Sequence, residues 1–151
     1  MLLQSTLRVL AVALALCAGG LAQAGQLSKE EQVRKAEEVR AFFRANGIEK
    51  SKQAFEDKAG TWQSPDFEIA VQNGVTGVLE IHSTQPQYTG VDNRDLKDAD
   101  GKEFVKELLA IPDTGWLEFK FPNPATGKIQ NGRIYVIREG DYAIAVSSYA
   151  E

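Results

Sequence analysis

The sequence predicts an α+β domain, with a long N-terminal helix and shorter helices packed on one side of about five antiparallel strands. Three observations carry this. A capping signal opens a helically spaced apolar run at residue 28. From Asp66 onward the apolar period changes from helical to two. Short turns join neighbouring strands, which requires antiparallel pairing.

Ser28 precedes Lys29-Glu30-Glu31, a capping box in which the hydroxyl caps the helix and Glu31 reaches back. Val33, Ala36, Val39, Phe42 and Phe43 follow at mostly three- and four-residue spacing. Asn46-Gly47 stops this helix, because glycine tolerates a left-handed C-cap. A shorter helix is expected from Ile48 to about Phe55. Phe67, Ile69 and Val71 then alternate with Glu68, Ala70 and Gln72 as a strand. Asn73-Gly74 reads as a tight hairpin turn, with Val75 to Ile81 returning. Ser83 to Asp100 is a long polar loop. Lys102 to Ile111 reads as a helix, and Trp116 to Phe121, Ile129 to Arg138 and Tyr142 to Tyr149 as strands. There are no repeats and no low-complexity tract.

The first 24 residues read as a secretory signal. Arg8 supplies the positive region, Val9 to Ala22 is uncharged and apolar, and Ala22-Gln23-Ala24 is a small-x-small cleavage site. The apolar stretch covers about 14 residues, short of the roughly 20 a membrane span needs. The expected working protein is one domain, residues 25–151, periplasmic or secreted. Cys17 is the single cysteine, and a lipid-modified cysteine is the alternative to simple cleavage, although Leu16 is large where such a signal wants a small residue. Loss of Cys17 with the leader would leave a domain without disulfides, held by its core. The chain has 17 Lys and Arg against 21 Asp and Glu, a formal charge of −4. That balance disfavours nucleic acid or an anionic membrane surface as partner.

Two stretches resemble the single Cache domains, extracellular sensor modules with a PAS-like sheet. One is Asp95-Leu96-Lys97-Asp98-Ala99-Asp100-Gly101-Lys102-Glu103-Phe104. The other runs from Thr114-Gly115-Trp116 to Pro122-Asn123-Pro124, followed by Tyr135 and Gly140-Asp141-Tyr142. The resemblance covers most of residues 26 to 150. It implies a pocket on one sheet face for a small organic acid or amino acid; the residues themselves carry no catalytic signature, so neither a cofactor nor an enzymatic activity is expected. Members usually sit on a transmembrane receptor, so a free domain would act through a separate membrane receptor or kinase. Three positions depart from the family pattern. His82-Ser83 stands for His-Pro, Phe119 lacks the hydroxyl of a Tyr, and Gly132 stands where a Lys is usual, with Arg133 one place on. A one-residue shift turns a strand side chain to the other face.

The candidate ligand-binding residues are Phe67, Ile69, His82, Phe119, Arg133 and Tyr135. Arg133 or His82 would pair with a ligand carboxylate, and the aromatics would enclose the rest. By alternation Trp116 lies on the face opposite Phe119. The only histidine and the absence of a His/Cys cluster argue against a zinc or iron site. An EF-hand register with Gly101 at position six places Asp98, Asp100 and Glu107 on ligand positions, but puts Leu96 at the first. The acidic loop is therefore read as a turn and helix cap, with Asp100 before the helix. Two other classes stay open: a Cache-like scaffold without a pocket, and a hydrolase using His82 with Ser83 or Ser64.

Overall fold

A computed structural model describes residues 25–150. The expected signal segment lies outside the described residues. The elements are α1 (Lys29–Glu56), β1 (Glu68–Asn73), β2 (Leu79–His82), a 3-10 turn (Pro86–Tyr88), α2 (Phe104–Ala110), β3 (Thr114–Pro122), β4 (Ile129–Glu139) and β5 (Tyr142–Tyr149). No described helix is long and apolar enough to cross a membrane.

The capping box forms: Glu31 N–H donates to Ser28 Oγ at 3.1 Å, and Ser28 N–H to Glu31 Oε2 at 2.9 Å. Gly47 breaks α1 with φ 73° and ψ 179°, a conformation open to glycine alone. The strands form one antiparallel sheet in the order β2-β1-β5-β4-β3.

The helices do not share a side. α1 lays Ala36, Val39, Phe43 and Phe55 against Ile69, Val71, Ile81, Tyr135, Ile137, Ile144 and Val146. α2 packs Leu108 on the opposite face, with Leu117, Phe119, Ile134, Val136, Ala143 and Ala145. Local periodicity identifies each apolar stripe but not the face to which a connection returns, and the long loop carries α2 across. β5 is central and covered on both faces, so it reads as a near-continuous buried run.

The β1–β2 turn is also longer than Asn73-Gly74 suggests. Asn73 Oδ1 accepts from Val75 and Thr76 N–H, both at 3.0 Å, which draws the chain into an Asx turn. Gly77, not Gly74, takes the positive φ, and β2 starts only at Leu79.

The β2–α2 connection is tied to both margins of the sheet. Leu79 N–H donates to Val91 O at 3.0 Å and Gly90 N–H to Leu79 O at 2.8 Å. At the far margin Ala99 N–H donates to Lys120 O at 2.8 Å, and Lys102 Nζ to Glu118 O at 2.7 Å. Asp98 fixes that attachment. Its buried carboxylate accepts from the N–H groups of Asp100, Lys102 and Lys120 at 2.9, 2.9 and 3.0 Å. The cap role expected of Asp100 is not observed: Glu103 stands at the N-cap of α2, and Asp100 pairs with Lys120 at 3.3 Å.

Candidate functional site

The two sheet faces differ in side-chain size. Toward α1 the central strands present Ile69, Val71, Ile144 and Val146. Toward α2 they present Ala70, Ala143 and Ala145, and Gly132 lies on the same face. Small residues make a low floor on the α2 side, and larger polar and aromatic groups stand around it. The register sets them out in rows. His82 pairs with Ala70, which pairs with Ala145; Glu68 pairs with Ser147; Tyr149 pairs with Gly132, and Gly132 with Phe119.

Glu68 is the unusual member. The residue is 8% exposed. Oε1 accepts from Thr84 Oγ1 at 2.5 Å. Burial raises its pKa, while the Thr84 and Tyr149 hydroxyls and Lys58 draw it part of the way back. No cation lies within ion-pair distance of it among the described residues. Lys58 instead donates to the Ser83 and Thr84 carbonyls at 3.0 and 2.8 Å. Burial first and Glu68 second raise the Tyr149 hydroxyl.

His82 stands one row away. Its Nδ1 accepts from Gln85 N–H at 3.2 Å, which assigns the proton of the neutral ring to Nε2. Burial, and after it Lys58, pushes its pKa down to about 4. The ring is therefore a neutral Nε2–H donor at pH 7. Phe119 completes the far wall, stacked on Phe104 with centroids 5.7 Å apart and tilted on Tyr149 at 5.2 Å.

The six residues expected to line one pocket do not converge. His82 and Phe119 lie on the α2 face. Ile69 and Tyr135 are buried under α1, where Phe67 also packs. Arg133 shares that face. Its Nε donates to Gln32 Oε1 at 2.9 Å, its NH2 donates to the Leu27 carbonyl, and its guanidinium lies 5.7 Å from the Trp116 ring centre. It lines a depression of about 520 Å³ together with Lys29, Lys102, Lys120 and Glu118, and Phe119 and Gly132 contribute to the same depression, so of the six only Arg133 and Phe119 share it. The one-residue displacement from Gly132 has the effect expected of a strand: it turns the cation away from the α2 face. Neither serine of the hydrolase reading is bonded to His82. Ser83 Oγ accepts from Ile69 N–H at 2.9 Å and Ser64 Oγ from Asp66 N–H at 3.1 Å.

Glu68, Thr84, Ser147 and Tyr149 were not among the expected site residues. One signal for Glu68 was present. Between apolar neighbours, its alternate-phase companion is the small Ala70, which suits a covered face better than solvent.

The family model described as single Cache domain 2 matches residues 21–151. No curated protein sequence matches the chain. Among solved structures, a methyl-accepting chemotaxis protein from Vibrio parahaemolyticus is 20% identical, with TM-score 0.62 over 80% of this chain and 84% of that one. A Cache chemosensory domain solved for the structural basis of its carboxylic acid recognition is 19% identical, with TM-score 0.64 over 81% and 92%. A periplasmic sensor domain of a chemotaxis protein is 16% identical, with TM-score 0.56 over 81% and 90%.

Proposed function

This chain belongs to the single Cache domain 2 family, and from that premise we propose that it senses a small organic acid or amino acid on the α2 face of its sheet. Cache domains are sensory ligand-binding domains. The observation that carries the reading is the buried Glu68 with the half-buried Thr84 and His82, and Tyr149 beside them, above a floor of Ala70, Ala145 and Ser147. A sheet face built only for packing would fill that area with apolar side chains. Here it holds an acid, an imidazole and two hydroxyls, the few placed polar groups typical of ligand sites.

In this reading His82 Nε2–H donates to a ligand oxygen and Phe119 encloses the apolar part. Phe67, Ile69, Tyr135 and Arg133 serve the opposite face, where they hold α1 to the sheet. Residues 1–24 export the domain to the periplasm or beyond. The bound state is read by a separate membrane receptor or kinase, after a ligand-dependent shift between two arrangements. The solved carboxylic-acid-recognising Cache domain of the same fold supports the ligand class.

The test is thermal-shift and calorimetric screening of residues 25–151 against organic acids and amino acids at millimolar concentration. At least one compound is expected to raise Tm by several degrees, and His82→Ala is expected to abolish that rise. The second reading is a scaffold whose α2 face is simply filled, and the Phe104–Phe119 stack favours it. No stabilisation by any compound in the panel would decide for the scaffold.

A further inference from the structure

Glu68 presents a buried carboxylate with hydroxyl partners and, among the described residues, no paired cation. A buried charge normally has a counter-charge, because burial without one is costly. The cation that acts on it, Lys58, is held by two backbone carbonyls. The Thr84 hydroxyl contributes one short hydrogen bond to Oε1 and no charge. Thr84 Oγ1 also lies 3.4 Å from His82 Nδ1, so it bridges the acid and the imidazole. One side of this small site thus offers a carboxyl group held by hydroxyls. The other side offers a neutral N–H.

Resting on the sensing role proposed above, we infer that the ligand is an amino acid, its ammonium paired with Glu68 and its carboxylate accepting from His82 Nε2–H, rather than a simple carboxylic acid. A plain carboxylate would face the Glu68 carboxylate with only one neutral donor to hold it. An ammonium supplies the missing positive charge. It can also take the place of the Thr84 hydroxyl on Oε1. The ligand is then read by charge at one end and by hydrogen bonding at the other.

The experiment uses pairs of compounds with one carbon skeleton: glycine with acetate, alanine with propionate, aspartate with succinate. Each is titrated calorimetrically into the wild type and into Glu68→Gln. The amide is nearly isosteric, removes the charge and exchanges one acceptor oxygen for an NH2 donor, and the variant is expected to fold, which its circular dichroism and Tm check directly. At least one amino acid is expected to bind the wild type at least tenfold more tightly than its amine-free partner, and Glu68→Gln to erase that difference. An amine-free acid that binds as tightly as its partner, or an amino acid whose affinity is unchanged in Glu68→Gln, overturns the inference and leaves the sensing role standing. Failure of every compound in both classes overturns the two together.

Discussion

The Phe119 ring lies over Gly132 on the neighbouring strand, so close that a side-chain carbon on Gly132 would stand 2.5 Å from it. The ring therefore occupies the space that a long side chain at position 132 would take. Gly132→Ala is expected to push Phe119 off its stack with Phe104 and to cost about 1–3 kcal/mol by overpacking. Chemical denaturation measures the loss. Unchanged stability would mean that the ring moves freely, which its packing between Phe104 and Tyr149 contradicts.

His82 makes stability depend on acidity. Its pKa is about 4 in the fold against an ordinary 6.5. The unfolded chain takes up the proton first as pH falls, so the contribution is complete above 6.5 and is lost between 6.5 and about 4. Glu68 acts in the opposite sense, since its raised pKa makes folding easier as pH falls. The comparison that isolates His82 is the wild type minus His82→Gln. That difference is expected to shrink on acidification from pH 7 to 4, by an amount on the order of 2 kcal/mol. A difference constant with pH would place the imidazole in water.

Arg133 supports the start of α1. Its guanidinium joins the Leu27 carbonyl, Gln32 and the Trp116 face, and Gln32 Nε2 donates back to the carbonyls of Arg133 and Val146 at 3.0 and 2.6 Å. Arg133→Ala is expected to cost about 1–2 kcal/mol and to speed amide exchange in the first turns of α1. Ligand affinity should change less than twofold, because the side chain lies on the face away from Glu68. A tenfold loss of affinity without loss of stability would return Arg133 to the ligand site.

Asp98 makes three backbone hydrogen bonds from one carboxylate. Burial pushes its pKa up, but the N–H groups of Lys102, Lys120 and Asp100 outweigh that and hold it below the usual range. The contribution is present above the unfolded value near 3.8 and is lost as pH falls below it. Asp98→Asn, with a weaker acceptor, is expected to lower Tm by roughly 5 °C at pH 7. The deficit relative to wild type should narrow below pH 3.

Much of the fold was legible in the chain. Ser28 and Glu31 marked the start of α1, Gly47 its break, and the period-two runs placed β4 and β5 within a residue of their observed ends. The paired motifs around Asp98 and Trp116 pointed to the family that the comparison of residues 21–151 then identified. The site was less legible. Alternation in β1 separates Ile69 from Glu68 but does not say that both are covered. That depends on β1 lying beside the central β5, a non-local fact. Tyr149 is one aromatic among several until the register sets it beside Gly132 and Phe119. The expected pocket mixed two faces because aromatic character was used to choose residues, and aromatic residues pack on both.

The loop from Ser83 to Glu103 satisfies backbone groups at opposite margins of one sheet. An exposed strand edge is a template for another chain. Here one segment guards two such templates, at Leu79 and at Lys120. Keeping separate molecules apart therefore falls, at both margins, to a single stretch of chain. A change that loosens it would unmask two sites for strand-to-strand association. Colloidal behaviour is thereby tied to this one loop, and variants altered in it should be screened for turbidity.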